Sequence, residues 1–217
     1  AQVLLAIMAG MYAVYHGPVG LKRIATRVHD LTGTLAERLR RDGHELVHEV
    51  WFDTIRVRPA GRPADEVIGA ALELGINLRA FDDGTVGVAF DETVNPEDVD
   101  DVLAAFAGAP TKRGALSIAE ELEPAVLPAP FARESAYLDH PVFERYHSET
   151  EMLRYIHRLE SRDLSLNHSM IPLGSCTMKL NATTEMAGVT WPEFGGIHPF
   201  VPVDQAEGYA AMIGDLE

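Results

Sequence analysis

Apolar side chains recur at steps of three and four over residues 21–39, which is the spacing of one helical face. They are Leu21, Ile24, Val28, Leu31, Leu35 and Leu39. The spacing predicts an amphipathic helix that ends at Gly43. Ahead of it, residues 2–16 are nearly all apolar and predict a buried helix. We expect that helix to stop at the glycine and proline of "HGPVG".

The rest of the first half alternates between strand and helix patterns. Residues 45–59 have strand character, and residues 62–75 predict a short helix with acidic residues in its first turn. In residues 76–91, two apolar runs flank Asp-Asp-Gly, which predicts a hairpin. Asn95 then predicts an N-cap and Pro96 the first position of another helix.

This order of helix, strand, helix, hairpin and helix predicts a small α+β domain over residues 17–108. Its helices would pack on one face of an antiparallel sheet. Residues 109–135 have a proline-rich second half and predict a linker that crosses a surface. Beyond it, Ser148 and Glu151 have the spacing of a capping box. They precede a helix whose apolar stripe consists of Met152, Tyr155, Ile156 and Leu159.

Composition narrows the possible partners and the compartment. The 217 residues include 33 acidic and 18 basic ones, for a net charge of -15, which argues against nucleic acid as a partner. A single cysteine excludes an internal disulfide framework and favours a reducing compartment. The opening apolar run is shorter than the about 20 residues that span a bilayer and lacks a basic start, so we expect neither a membrane span nor a signal peptide.

Both ends of the sequence look cut. This predicts either an internal fragment of a longer protein or a protein whose ends have been trimmed.

No metal-binding motif stands out in the sequence. His44 and His48 are four residues apart without a third ligand, and the pattern around them predicts solvated polar residues rather than a metal site.

The stretch "SLNHSMIPLGSCTMKLN", residues 165–181, has neither a helical nor a strand period. Gly174 permits close backbone approach, and Ser175 and Thr177 have hydroxyls suited to a small carboxylate. Two interpretations stay open: the stretch lines a pocket, or it only pins the chain to a neighbouring domain. Cys176 is either a small buried hydrophobe or a redox or nucleophilic group, and only Lys179 is a nearby charge that would support the second role.

A second aperiodic stretch, "TWPEFGGIHPFVPVDQ", covers residues 190–205. Its His198 either stacks near a cofactor ring or fixes the chain through backbone hydrogen bonds. The aromatic residues Trp191, Phe194 and Phe200 predict packing rather than cofactor contacts.

Several long stretches of the sequence resemble one protein family. "HSETEMLRYIHRLESRDLSLNHSMIPLGSCTMKLNATTEM" and "TWPEFGGIHPFVPVDQAEGY" resemble the glycine dehydrogenase (decarboxylating) family, the P-protein of the glycine cleavage system. The earlier words "LLAIMAGMYAVYHGPVGLKRIATRVH", "FDTIRV" and "INLRAFDDGTVGVAFDETVN" resemble the same family in the same order. The resemblance covers nearly the whole chain and is weakest over the predicted linker.

The resemblance implies an architecture. Proteins of this family consist of two related halves, each with the α/β fold of type I pyridoxal-phosphate (PLP) dependent transferases. Residues 1–108 would be the closing small domain of the first half, with residues 1–16 as its incoming helix. Residues 109–135 would be the linker, and residues 136–217 the irregular amino-terminal arm of the second half. The α+β prediction for residues 17–108 agrees with this and rests on pattern alone.

The resemblance also implies an activity. The parent enzyme would release carbon dioxide from glycine and transfer the aminomethyl group to the lipoyl group of the H-protein. It would bind PLP through a lysine beyond this chain, so we expect no catalytic residue here and do not assign that role to Lys179. The candidates for the substrate or cofactor pocket are Ser175, Cys176, Thr177 and His198.

Further expectations follow from the same resemblance. The partners would be glycine, the H-protein and either a second copy or a pair of half-subunits. The location would be the cytoplasm, or the mitochondrial matrix in a eukaryote. A different class of function is a stand-alone α+β binding or regulatory module over residues 17–108, which leaves the arm unexplained.

Overall fold

The computed structural model describes residues 2–109, 127–162 and 182–217. The chain folds as two compact units, one over residues 1–151 and the other over residues 152–217. The described helices are α1 (Gln2–Arg41), α2 (Ala64–Glu73), α3 (Pro96–Ala107), α4 (Glu149–Glu160), α5 (Thr183–Ala187), α6 (Pro192–Gly195) and α7 (Glu207–Leu216). The described strands are β1 (Glu45–Leu46), β2 (Thr54–Arg58), β3 (Arg79–Ala80) and β4 (Val86–Ala89). Short 3-10 helices lie at Pro141–Glu144, Gly188–Thr190 and Val203–Gln205.

The prediction that the first helix stops at the glycine and proline of "HGPVG" is confirmed, because Gly17 is not helical and two helical segments meet there at a kink within α1. Gly17 has φ 62° and ψ 179°, and the helix resumes at once with Pro18. A proline is tolerated at the first position of a helix, where its missing N–H would have no partner within the helix. The glycine therefore ends one helical segment, and the proline begins the next.

The first helix was predicted to be buried, and within the described residues this prediction is wrong. Val3 is 71% exposed and Ile7 is 52% exposed, and the first buried side chain of α1 is that of Val14. An apolar sequence specifies the helix, but a second surface is needed to cover it. By length and composition alone, α1 is apolar enough to cross a membrane, a test that core helices of water-soluble proteins also pass. The absence of a membrane partner thus stays a prediction.

The carboxyl end of α1 follows the sequence prediction. Gly43 has φ 89°, and its N–H donates to the carbonyl of Arg40 at 3.1 Å. The N–H of His44 donates to the carbonyl of Leu39 at 2.9 Å. This pair of bonds is a Schellman motif, which needs a left-handed residue at its end and so favours glycine. The predicted end at Gly43 is confirmed.

The four strands form one antiparallel sheet in the order β1-β2-β4-β3. The predicted hairpin is the β3–β4 pair, and Gly84 in its turn has φ 74°. The continuous strand predicted over residues 45–59 is instead interrupted between β1 and β2. There the carbonyl of Phe52 accepts a hydrogen bond from Nδ1 of His29 at 2.8 Å, outside the sheet ladder.

The core lies on one face of this sheet. Ile55 is opposite Val88, and Val57 is opposite Val86, so all four side chains share a face. Side chains of α1, α2 and α3 cover that face and complete a buried cluster. It contains Val28, Leu35, Ala36, Leu39, Ile55, Val57, Val67, Val86, Val88, Phe90, Val99, Val102, Leu103 and Phe106.

The caps of α3 agree with the sequence. The Asn95 side chain accepts hydrogen bonds from the N–H groups of Glu97 and Asp98, and the Asp98 carboxylate accepts from the Asn95 N–H at 2.8 Å. Pro96 is the first helical residue. Both predictions for this helix are confirmed.

In the later part of the chain, the described residues 149–162 and 182–217 form helices but no comparable core. At α4, Oγ of Ser148 accepts from the N–H of Glu151 at 3.3 Å, as the capping-box spacing predicts. None of the side chains of α4 is buried. Within residues 182–217, all of which are described, no residue is buried either. The boundaries predicted for the small domain, linker and arm stay predictions, since they refer to the parent protein.

Candidate functional site

The predicted pocket residues Ser175, Cys176 and Thr177 lie outside the described residues, as does Lys179. Of the predicted candidates, His198 is the one that the structure describes. The assignment of the first three to a pocket or to a pin stays a prediction.

His198 is fixed by the turn that follows it. Its Nδ1 accepts a hydrogen bond from the N–H of Phe200 at 3.0 Å, and its carbonyl accepts from the N–H of Val201 at 3.0 Å. In the neutral ring the proton therefore sits on Nε2. The imidazole is exposed, so Nε2 is available to donate to a ligand or to another segment. The Nδ1 bond is the one expected for fixing the chain, and the stacking of His198 near a cofactor stays a prediction.

The aromatic residues around it are partly in contact with one another. The rings of Trp191 and Phe194 are 6.2 Å apart, and the ring of Tyr209 meets that of Phe194 edge-on at 5.9 Å. The Tyr209 hydroxyl donates to the carbonyl of Phe194 at 2.7 Å. Phe200 is 90% exposed. The predicted packing role thus applies to Phe194 within this unit, whereas the exposed Phe200 has a tilted ring contact with His198 at 5.9 Å.

A pocket of about 380 Å³ opens beside this aromatic group. Its lining consists of Glu193, Phe194, Ile197, Gln205, Ala206, Gly208, Tyr209 and Met212. The charged group among these is a carboxylate, and none of them is a lysine or an arginine. A phosphate needs cationic side chains or converging N–H groups. The lining thus offers no cationic side chain to a phosphate, and the pocket by itself does not indicate PLP.

The lysines give the same result. Of the three in the chain, Lys22 is the one within the described residues, and it is exposed on α1. A lysine that forms a Schiff base needs a desolvated pocket that lowers its pKa. The described residues thus contain no group that would hold PLP covalently, and no step of PLP chemistry can be assigned to them.

His44 corrects one sequence prediction. It is 8% exposed, not solvated, and its Nδ1 accepts a hydrogen bond from the N–H of Ala60 at 3.0 Å. Its ring meets that of Phe106 edge-on at 5.3 Å. Burial lowers the pKa of His44, against a smaller opposing effect of Asp42. The polar neighbours in sequence pointed to solvent, but the Schellman turn brings this residue into the core.

A polar cluster on the opposite face of the sheet was not predicted. The guanidinium of Arg56 lies 4.0 Å from the ring centre of Phe81 and 2.9 Å from Oδ2 of Asp83. The Thr85 hydroxyl, through its hydrogen bond, and then Arg56 lower the pKa of Asp83 to about 2. Arg79 lies over the same Phe81 ring at 4.7 Å. The contacts of Arg56 tie the hairpin turn to β2, and the sheet register brings Arg56 next to Phe81 and Asp83, which are 25 and 27 positions away in the sequence.

The comparisons with known proteins point to one family. Residues 1–106 match the family described as glycine cleavage system P-protein. A glycine dehydrogenase (decarboxylating) of Nostoc sp. is 53% identical over 221 aligned residues, covering 100% of this chain. By the family match over residues 1–106 and the identity over its whole length, this chain is similar to the P-proteins of the glycine cleavage system.

Other relatives extend this match beyond residue 106. The glycine dehydrogenases (decarboxylating) of Pisum sativum and Homo sapiens, both described as mitochondrial, are 54% and 50% identical over all of this chain. The chain covers 22%, 20% and 21% of the Nostoc, pea and human proteins, so it spans about one fifth of the relatives it matches. Among solved structures, a NifS-like protein aligns with 40% of this chain and 28% of its own, at 14% identity and a TM-score of 0.36, too weak a likeness to assign the fold.

Proposed function

We propose that this chain is part of a PLP-dependent glycine decarboxylase. The parent protein releases carbon dioxide from glycine and transfers the aminomethyl group to the lipoyl group of the H-protein. The observation that carries this proposal is the 50–54% identity over the full chain to proteins named glycine dehydrogenase (decarboxylating). Such identity across a cyanobacterium, a plant and a mammal supports the same activity in the parent of this chain.

In this proposal the chain supplies walls and supports, and the cofactor is bound elsewhere in the parent protein. Residues 1–108 form the small domain that closes the first half of a type I PLP fold, and residues 136–217 form the arm that opens the second half. The absence of a fitting lysine from the described residues and the acidic, apolar lining of the described pocket are consistent with that division.

The stretch around Gly174 is the part of the chain that we place at the substrate. The hydroxyls of Ser175 and Thr177 donate hydrogen bonds to the carboxylate of glycine, and Nε2 of His198 offers one further donor. The support is the chemistry of the residues, because short hydroxyl side chains beside a glycine suit a small anion.

The partners and location follow from the same activity. The protein acts with glycine and with the lipoyl-bearing H-protein, as a homodimer or as a pair of half-subunits. It works in the cytoplasm, or in the mitochondrial matrix in a eukaryote. The pea and human relatives are described as mitochondrial, which supports this location.

The activity is tested with the full-length parent protein. We expect it to exchange labelled carbon dioxide into glycine when PLP and H-protein are both present. Ser175→Ala and Thr177→Val should each lower the exchange efficiency by about 10- to 150-fold, the effect of a lost hydrogen bond to a charged group. Thr183→Val, at an exposed position that starts α5, is the matched control and should leave exchange unchanged.

Two results would contradict these proposals separately. No exchange in the full-length protein, with both PLP and H-protein present, would refute the activity. Normal exchange in both variants, together with melting temperatures several degrees lower, would show that the stretch is a pin and would leave the activity standing.

The division of labour is tested with the 217-residue chain itself. Incubation with PLP followed by borohydride reduction should leave no stoichiometric pyridoxyl group on any lysine. Labelling of Lys179 at one equivalent would contradict the placement of the cofactor lysine outside this chain.

The alternative is that residues 17–108 are a separate binding module. That function would require a ligand that binds to these residues equally well in isolation and within the parent protein.

A further inference from the structure

A segment far along the sequence, residues 137–147, binds to the kink of α1. The Tyr137 hydroxyl donates to the carbonyl of Pro18 at 2.6 Å, between residues 119 positions apart. Nδ1 of His147 lies 2.7 Å from the carbonyl of Tyr15, between residues 132 positions apart. Since a carbonyl can only accept, Nδ1 of His147 is the donor.

Residues 137–147 can approach the kink closely because residue 17 has no side chain. A Cβ on Gly17 would lie 2.5 Å from the carbonyl oxygen of Phe143 and 2.6 Å from Cε1 of His147. Both distances are shorter than side chains tolerate. The φ of 62° at Gly17 also favours glycine, so conformation and close approach specify the same residue.

Side chains of residues 137–147 donate hydrogen bonds to backbone carbonyls at the kink. Carbonyls near a kink are open to donors other than the helix's own N–H groups. Here the two donors come from both ends of one short segment, Tyr137 at its start and His147 at its end. Between them, Tyr146 is only 7% exposed, and the guanidinium of Arg145 lies 5.6 Å from the centre of its ring.

From this geometry we propose that the kink of α1 is a docking site for residues 137–147 that holds them even when the chain between is cut. The contacts named above join residues 15–18 to residues 137–147 directly, so they do not themselves require a continuous chain between the two segments. The docking would fix where the second half of the parent protein begins relative to the helix of the first. It goes beyond the proposed activity and does not depend on it.

The test uses the full chain with a site-specific protease sequence placed within residues 110–126. After complete cleavage of the native protein, we expect the two pieces to elute together in size-exclusion chromatography at a one-to-one ratio. Separation of the pieces at micromolar concentration would overturn the proposal. A complex containing two copies of each piece would also overturn it, because a segment from another copy would then occupy the site.

Matched variants test whether these contacts hold the pieces. Gly17→Ala should weaken the association by more than about tenfold, whereas Gly10→Ala in the same helix should not, since a Cβ there meets nothing within 4 Å. Tyr137→Phe should weaken it by about 2- to 10-fold, the effect of one hydrogen bond. Equal association of the Gly17→Ala and Gly10→Ala proteins would overturn the proposal.

The two nitrogens of His147 allow a sharper control. An asparagine amide places its NH₂ near the position of Nδ1, so His147→Asn should retain association. A glutamine reaches the position of Nε2, so His147→Gln should lose about 2- to 10-fold. Circular dichroism and thermal unfolding of each uncut protein show whether a variant has disturbed the fold instead. Identical loss in both His147 variants would refute the assigned hydrogen bond.

Discussion

Two regions of this chain are rich in apolar residues, yet only one of them buries them. In residues 17–109, here called the sheet region, Phe106 is 1% exposed within a cluster drawn from three helices and the sheet. In residues 182–217, the carboxy-terminal segment, Phe200 is 90% exposed and no residue is buried. Helices and turns form in both regions. A core forms only where elements distant in sequence converge on one surface.

The difference explains how a piece of a larger protein can contain one self-sufficient region and one dependent region. The sheet region covers one face of its own sheet with α1, α2 and α3. The carboxy-terminal segment exposes Trp191 and Val203 at 56% and 83%, and exposed apolar groups of this extent await another surface. We expect that surface in the remaining four fifths of the parent protein.

Truncating the same residue type in each region should give the largest contrast. Phe106→Ala removes a fully packed ring and should lower the free energy of unfolding by about 3–5 kcal/mol. Phe200→Ala should change it by less than about 0.5 kcal/mol. Urea unfolding followed by circular dichroism measures both, and Phe106→Leu serves if the alanine variant does not fold. Similar losses in the two regions would contradict the comparison.

Removing a helix cap in the sheet region should have a moderate effect. Asn95→Ala takes away the acceptor for two N–H groups at the start of α3 and should cost about 1 kcal/mol. Asn95→Asp keeps an acceptor and is the matched control. The urea midpoint measures the difference, and no difference between the alanine and aspartate variants would show that the cap does not stabilise α3.

The pH dependence at His44 should give the smallest effect, confined to a narrow range. Burial lowers its folded pKa below the ordinary value of 6.5, so the unfolded chain binds a proton first as the pH falls. The contribution of His44 to stability is complete above pH 6.5 and decreases as the pH falls from 6.5 to the lowered folded pKa. His44→Asn keeps an acceptor near the N–H of Ala60 but does not titrate, so its unfolding free energy should decline less over that range. Parallel pH profiles of the two proteins would contradict this account.

Local signals in the sequence predicted much of the sheet region. Gly43, Gly84 and Asn95 each act within a few residues of themselves, through a left-handed conformation or a side-chain cap, so their neighbours reveal them. The strand character of residues 45–59 predicted β2, whose Ile55 and Val57 lie in the core. These features need no knowledge of what lies across the fold.

The features that the sequence did not predict depend on distant partners. The close approach of Phe143 and His147 to Gly17 was not predicted, and neither were the contacts of buried His44 with Ala60 and Phe106. The gap between β1 and β2 follows from His29, which bonds the carbonyl of Phe52 from another element. For the candidate site, the resemblance located His198 but could not reveal that the next turn holds its Nδ1.

Hydrogen exchange on the 217-residue chain tests the central contrast most directly. We predict strong protection of the amides in β2, β4 and the buried half of α1, with exchange requiring global unfolding. Amides over residues 182–217 should exchange within seconds to minutes, and they should become protected in the full-length parent protein. Strong protection of residues 182–217 in the isolated chain, with weak protection of β2 and β4, would contradict the account.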